Sequence, residues 1–216
     1  MTAQLVQIPA GGPSLAGDLT IPARATGIVV FAHGSGSSRH SRRNRFVARM
    51  IQGSGAATLL LDLLTAEEER SDALDGHLRF DIGLLASRLA HAARWIGEQP
   101  ETRHLAMGYF GASTGGAAAL VAAAAAGSAA RAVVSRGGRP DLAGDALGRV
   151  ASPTLLIVGE LDEFVVQLNR DAFARLRCPK QIVIVPGATH LFEERGALET
   201  VASLATEWFK GHLGPG

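Results

Sequence analysis

Short apolar runs alternate with longer helical patterns along most of this chain, and this rhythm constrains the fold more than any other feature. The runs cover residues 27–32, 57–63, 105–110, 131–135, 154–158 and 181–185. Each is almost continuously apolar, as expected of parallel strands that are covered on both faces. Helical patterns lie between most of them, at residues 42–53, 80–98, 114–126, 163–176 and 196–210. We therefore predict an α/β fold with a doubly wound, mostly parallel sheet.

The first twenty residues follow a different pattern, since they alternate loosely and contain Gly11-Gly12-Pro13. This pattern predicts an antiparallel hairpin ahead of the parallel sheet. The chain has 216 residues, 47% of them hydrophobic, which is enough for one domain with a sizeable core. No internal repeat or low-complexity linker divides it, so we predict a single domain over residues 1–216.

Charge and cysteine content restrict the partners and the compartment. The formal net charge is +1, which gives no indication of a nucleic-acid partner. The N-terminus lacks the basic and apolar regions of a secretion signal, and the alanine-rich stretch 117–126 is too short to cross a bilayer. The single cysteine, Cys178, cannot form an internal disulfide, which fits a reducing compartment. We predict a cytoplasmic protein without a membrane partner, and the oligomeric state stays open.

The segment Gly111-Ala112-Ser113-Thr114-Gly115 lies between a predicted strand and a predicted helix. This is the Gly-x-Ser-x-Gly pattern in the strand–turn–helix context that holds a nucleophilic serine on a sharp turn. The two glycines leave room where side chains would collide with the neighbouring strand and helix. The free amides at the start of the helix face any oxyanion that forms there. We predict Ser113 as a nucleophile, and the alternative is a serine that only caps the helix.

A nucleophilic serine needs a general base and a carboxylate that orients this base. His190 is the only histidine after Ser113 that lies in a loop directly following a predicted strand. Glu160, Asp162 and Glu163 share the loop after the preceding strand. We choose Asp162, because Glu163 falls in the first turn of the next helix, where the helix dipole favours an acid. Asp162 could instead be a helix N-cap. The histidines predicted to have surface, packing or loop-shaping roles are His33, His77, His91, His104 and His212.

The loop that follows the first parallel strand is predicted to contribute to an oxyanion hole. Acyl transfer needs two amide donors at the developing oxyanion. One is the amide of Thr114, directly after the nucleophile. The other is the amide of Ser35, with Gly36 as the second choice, because small residues let the backbone approach the substrate closely. A rival interpretation is a dinucleotide-binding loop with Asp62 as the ribose-binding acid, but Arg39 occupies the third glycine position of that motif.

Charged residues near the same edge have two interpretations each. The basic segment 39–45 is predicted to be a solvated loop and first helical turn, and the alternative is a rim that attracts anionic substrates. Arg136 and Arg139 follow another strand and are candidate substrate-binding residues for a carboxylate, or else ordinary loop arginines. The acidic run 67–69 is predicted to be solvated surface.

Gly111-Ala112-Ser113-Thr114-Gly115, Gly159-Glu160-Leu161-Asp162 and Ala188-Thr189-His190 together resemble the α/β-hydrolase superfamily over nearly the whole chain. The size and the absence of a large inserted cap are similar to its dienelactone-hydrolase-like branch. Within that branch, residues 31–40 and 59–65 are similar to a subgroup sometimes fused to a phosphoribosyltransferase domain, which we do not find in this sequence. Dienelactone hydrolases proper carry a cysteine at the position of Ser113, and this departure favours a more general esterase.

The resemblance implies hydrolysis of carboxylic esters or small lactones by a Ser-His-Asp mechanism that requires no metal or organic cofactor. The connection between residues 135 and 154 is too short for a lipase-sized lid, which predicts an open site and short acyl chains. Two alternatives remain open. One is a catalytically silent α/β-hydrolase that acts as a ligand-binding or interaction module, and the other is a thioesterase or amidase of the same fold.

Overall fold

The computed structural model describes residues 3–214. This part of the chain forms one eight-stranded sheet, built from β1 (Gln4–Pro9), β2 (Ser14–Thr20), β3 (Gly27–Ala32), β4 (Ala57–Leu61), β5 (Ala106–Ala112), β6 (Ala130–Arg136), β7 (Thr154–Gly159) and β8 (Lys180–Val185). The strands lie in the order β1-β2-β4-β3-β5-β6-β7-β8. The β1–β2 and β2–β4 pairs are antiparallel and all other neighbours are parallel. The predicted N-terminal hairpin and mostly parallel sheet are both confirmed.

Helices cover both faces of the sheet, which confirms the doubly wound arrangement. They are α1 (Arg42–Gly53), α2 (Ala66–Asp75), α3 (Ile82–Glu98), α4 (Thr114–Ala123), α5 (Glu163–Arg175) and α6 (Ala197–Leu213). One apolar core lies between the sheet and α3, α4 and α5, and a second lies between the opposite face and α1 and α6. The connection from β6 to β7 is a short 3-10 segment, Pro140–Arg149, and no large cap covers the described domain.

The alanine-rich helix α4 is buried on every side, with Ala117, Ala118 and Ala119 inaccessible to solvent. A helix that is apolar all round packs inside a protein core, and small side chains let it approach the sheet closely. No helix within residues 3–214 has the length and apolar character needed to span a bilayer.

Two differences from the sequence-based expectation have clear physical causes. β5 continues to Ala112, because its parallel pairing with β6 extends to the Ala112–Arg136 register. The strand therefore runs directly into Ser113. Helix α2 was not among the predicted helices, although its first turn contains a complete capping box between Thr65 and Glu68.

The six parallel strands β3 to β8 place their carboxyl ends at one edge of the sheet. Ligands of open α/β sheets bind outside this edge. Each chemical candidate identified in the sequence lies in a loop that begins there, so the topology brings together segments that are remote in the chain.

Candidate active site

Ser113 occupies a strained turn between β5 and α4. Its φ is 51° and its ψ is −122°, a conformation that a residue with a side chain adopts rarely and that costs about 1–3 kcal/mol. Ser113 precedes the first residue of α4, but its side chain makes no capping hydrogen bond. The simple helix-cap interpretation therefore does not describe this serine.

The two glycines of the turn are required by close backbone contacts. A Cβ atom on Gly111 would lie 2.4 Å from the carbonyl oxygen of Gly115. A Cβ on Gly115 would lie 2.4 Å from the carbonyl oxygen of Ala32 and 2.5 Å from that of His33. These distances are far below van der Waals contact, so any side chain at either position displaces backbone.

His190 and Asp162 form a hydrogen-bonded pair at the same edge of the sheet. The imidazole Nδ1 lies 2.6 Å from Oδ2 of Asp162, with the two side chains 38% and 17% exposed. Asp162 directly precedes α5, but its carboxylate caps no backbone amide and bonds to the imidazole instead. Glu160 accepts a hydrogen bond from the Gly187 amide at 2.8 Å, and so it ties the acid loop to the histidine loop.

A single short turn after β6 contacts both Ser113 and His190. The Ser113 amide donates to the carbonyl of Arg136 at 3.3 Å, and the Arg139 amide donates to the carbonyl of Ser113 at 3.1 Å. Between them, a Cβ on Gly137 would lie 3.2 Å from the His190 carbonyl oxygen and 3.6 Å from its Cε1. Among residues 3–214 no hydrogen bond joins the Ser113 hydroxyl to the imidazole. Such contacts are often long in unliganded sites and shorten when substrate binds.

His33 joins the loop after β3 to the segment that follows β4. Its Nδ1 donates to the Gly34 carbonyl at 2.9 Å, and its Nε2 accepts the Leu63 amide at 3.1 Å. These partners require the neutral ring with the proton on Nδ1. A Cβ on Gly34 would lie 3.0 Å from Cβ of Ser113, so this loop packs closely against the Ser113 turn. The prediction that His33 shapes the loop is confirmed.

Burial lowers the pKa of the His33 imidazole below its ordinary value of 6.5, and the Gly34 carbonyl and Asp62 offset this only in part. The unfolded chain therefore binds a proton near pH 6 that the folded protein does not. We expect the free energy of unfolding to fall as the pH drops below 6.5, by at most about 1.4 kcal/mol per pH unit from this residue. Urea denaturation between pH 5 and 7.5 should show a smaller slope in His33→Gln than in the wild type.

The matched control for that prediction is His104→Gln, because His104 is exposed. Its slope of stability against pH should equal that of the wild type. Equal slopes in all three proteins would mean that His33 titrates at the same pH in the folded and unfolded states.

Ser35 and Thr114, the two predicted oxyanion donors, are in direct contact. The Ser35 amide donates to Oγ1 of Thr114 at 2.9 Å. Both residues line a cavity of about 480 Å³. The cavity is also lined by Leu63, Leu64 and Glu69.

The other candidate substrate-binding residues differ in their surroundings. Gly36 has a φ of 68° and nothing within 4 Å of where a Cβ would stand, so its backbone is open to a ligand. Arg139 forms two hydrogen bonds with Asp141, at 2.9 and 2.8 Å, and this carboxylate raises the pKa of the guanidinium. The charge of Arg139 is therefore already neutralised within the loop.

Arg136 is only 5% exposed and has no carboxylate partner among residues 3–214. Burial, followed by the nearby Arg43, lowers the pKa of its guanidinium to about 10. It donates to Oδ1 of Asn44 at 3.1 Å and lies 5.7 Å from the centre of the Phe192 ring. Its binding to a substrate carboxylate stays a prediction, and in this conformation the side chain faces α1 and the histidine loop.

The charged loops near the site are more structured than the sequence indicates. Arg39 bonds to both Asp62 and Asp18, and Arg45 bonds to Asp18 at 3.0 Å, so part of the basic segment is neutralised. The prediction that the acidic run is merely solvated surface was wrong for Glu68. This residue completes the capping box of α2 and pairs at 2.6 Å with Arg88, whose side chain is 6% exposed.

A parallel sheet that presents a strained serine between strand and helix, beside a histidine–carboxylate pair, has the architecture of an α/β-hydrolase. The sequence supports a narrower assignment, because residues 15–212 match the dienelactone hydrolase family. The chain belongs to this family.

Comparison with solved structures extends this result. The crystal structure of a dienelactone hydrolase from Anabaena variabilis is 59% identical, with a TM-score of 0.95 over 99% of this chain and 100% of that chain. A dienelactone hydrolase-like promiscuous phosphotriesterase from metagenomic libraries is 21% identical, with a TM-score of 0.78 over 99% of each chain. At that identity the second likeness shows the fold alone.

A curated relative from Mycobacterium tuberculosis, named as a proposed phosphoribosyl transferase, is 61% identical over 212 residues. The match covers 98% of this chain but 47% of the relative. The chain therefore spans about half the length of this relative, and the other half of the relative lies outside the match.

Proposed function

We propose that this protein is a serine hydrolase that cleaves carboxylic esters or small lactones with Ser113, His190 and Asp162 as its catalytic triad. The observation that carries the proposal is the 2.6 Å contact between His190 Nδ1 and Asp162, at the sheet edge where Ser113 stands on a strained turn. An aspartate that bonds Nδ1 leaves Nε2 free to accept the serine proton. Membership of the dienelactone hydrolase family supports a hydrolase.

The proposed reaction has two acyl-transfer steps. Ser113 Oγ attacks the carbonyl carbon while Nε2 of His190 takes its proton, and Asp162 stabilises the imidazolium. The negative carbonyl oxygen is stabilised by the backbone amide of Thr114, with support from the loop after β3. The carbon–oxygen bond to the leaving alcohol breaks, and this alcohol takes the proton from His190. Water then attacks the acyl-serine in the same way and releases the acid.

The shape of the site favours small substrates. The cavity lined by Ser35 and Thr114 has a volume of about 480 Å³, in the lower part of the range for small-molecule sites. The 3-10 segment between β6 and β7 covers only residues Pro140–Arg149, which supports an open site without a lipase-sized lid. Short acyl chains and small lactones fit this description.

The phosphoribosyl transferase name of the Mycobacterium relative does not direct this proposal, since the match covers 47% of that protein. A silent interaction module is less consistent with the site, because a module without catalysis has no need for a strained serine at the same sheet edge as a histidine–aspartate pair. The same triad could also cleave thioesters and amides, so both are included among the substrates to be tested.

Labelling with a fluorophosphonate tests for an activated serine. We expect wild-type protein to gain the mass of one phosphonyl group, as Ser113 Oγ bonds to phosphorus and fluoride leaves, whereas Ser113→Ala gains none. Ser203→Ala is the matched control, because Ser203 is an exposed residue of α6, and it should label like the wild type. Folded wild-type protein that stays unlabelled would favour the silent module.

The same three proteins should be assayed on aryl esters of acetate, butyrate and octanoate, a small lactone, an acyl thioester and an anilide. We expect the two short esters and the lactone to be hydrolysed fastest. A preference for the thioester or the anilide would redirect the assignment within serine hydrolases while leaving the triad intact.

A further inference from the structure

The amide of Ser35 is already engaged by a side chain next to the nucleophile. A backbone amide has one proton, and that of Ser35 points to Oγ1 of Thr114 at 2.9 Å. A donor committed in this way reaches the oxyanion directly only if this hydrogen bond is broken or shared. The contact links two residues 79 positions apart in the sequence, so it depends on how the loop after β3 packs on the nucleophile turn.

The Thr114 hydroxyl is left with an unused proton. Its oxygen accepts the Ser35 amide, and within residues 3–214 no acceptor takes the hydroxyl proton. Thr114 is 3% exposed and lines the same cavity as the loop after β3. Buried hydroxyl donors are generally satisfied by protein, water or ligand. The proton of this hydroxyl is therefore available to a ligand atom in the cavity.

We propose that Thr114 serves the oxyanion twice, through its backbone amide and through its side-chain hydroxyl. The Ser35 amide then contributes indirectly. It donates to the hydroxyl oxygen of Thr114, while the hydroxyl proton of Thr114 bonds to the negative carbonyl oxygen of the substrate. This proposal deepens the proposed hydrolase function and rests on it. It assigns a catalytic role to the side chain that follows the nucleophile, where only the backbone amide was predicted from the sequence.

Two physical effects favour this arrangement over a lone hydroxyl. A hydroxyl that accepts a hydrogen bond becomes a stronger donor, because consecutive hydrogen bonds polarise one another. The Ser35 amide also fixes the Thr114 side chain before substrate arrives. Preorganised donors in a site of low dielectric stabilise a developing charge without reorganisation.

The test compares Thr114→Val, which keeps the shape and removes the hydroxyl, with Thr114→Ser, which keeps the hydroxyl. For a short aryl ester we expect kcat of Thr114→Val to fall about 100-fold with KM nearly unchanged, the size of effect seen when one oxyanion donor is lost. Thr114→Ser should stay within about threefold of the wild type. The inhibition constant of a short alkyl boronic acid, which forms a tetrahedral adduct with the serine, should rise in Thr114→Val by a similar factor.

The outcomes distinguish failure of the proposed Thr114 hydroxyl role from failure of the proposed hydrolase function. If Thr114→Val hydrolyses esters as fast as the wild type while Ser113→Ala is inactive, the triad stands and the hydroxyl role is excluded. A loss of kcat in both Thr114 variants, with normal boronic acid binding, would also exclude it and indicate a packing effect. If Ser113→Ala retains activity, the proposed hydrolase mechanism itself fails.

Discussion

Ser113→Ala is expected to lower kcat/KM for a short aryl ester by about 10⁴-fold or more, because removal of the nucleophile of a triad leaves only the residual rate given by binding and the oxyanion hole. The serine makes no side-chain capping bond, so the loss should not come from unfolding of α4. Initial rates of ester hydrolysis, with circular dichroism to verify the fold, measure the effect. A decrease smaller than about tenfold would remove Ser113 from the mechanism.

A second substitution at the same position separates chemistry from backbone strain. Ser113→Gly should be as inactive as Ser113→Ala but more stable than it by about 1 kcal/mol. Glycine adopts the observed φ of 51° without steric cost, and this relief exceeds the extra entropy that glycine gains in the unfolded chain. Urea denaturation of the two variants gives the difference in the free energy of unfolding. If Ser113→Ala is the more stable variant, the turn stores no strain.

Gly115→Ala is expected to destabilise the protein by about 3 kcal/mol or more and to abolish ester hydrolysis. The new Cβ would lie 2.4 Å from the Ala32 carbonyl oxygen and 2.5 Å from that of His33. These atoms are backbone, so the clash is relieved only if the end of β3 and the loop after it move. Urea denaturation and ester assays of the soluble variant test both parts. If the protein is insoluble, refolding yield from urea provides the comparison.

Gly211→Ala is the matched control for this prediction. Gly211 lies inside α6 with nothing within 4 Å of its Cβ position, so alanine meets no neighbour there. The change should raise the free energy of unfolding by about 0.5–1 kcal/mol, because glycine is a poor helix former. Equal stability of Gly115→Ala and the wild type would contradict the steric explanation of the Gly-x-Ser-x-Gly turn.

Much of the fold could be predicted from local patterns. Strand β3 and helix α1 have the predicted bounds, because a continuous apolar run defines the first and Ser41 caps the second. Helix α2 was missed because its acidic first turn was interpreted as solvated surface. The capping-box motif formed by Thr65 and Glu68 would have predicted the start of that helix.

The choice among three acidic residues could not be made from local sequence patterns alone. Glu160, Asp162 and Glu163 lie close together in the chain, and the sequence favoured Asp162 without excluding the others. In the folded chain Glu160 bonds to the Gly187 amide, and Asp162 bonds to His190. These partners belong to the next strand and its loop, so the assignment depends on how β7 and β8 pair.

The sequence by itself determined the class of fold, the serine turn and the approximate positions of the candidate acid and base. It could do so because apolar periodicity and close glycine spacing reflect interactions between neighbours in the chain. Only the tertiary structure decided that Ser35 donates to the Thr114 hydroxyl, that Arg136 is buried with no carboxylate partner among residues 3–214, and that Arg139 is paired with Asp141. Such contacts depend on which loops meet at the sheet edge, and a hydrogen bond forms only when its atoms come within about 3 Å.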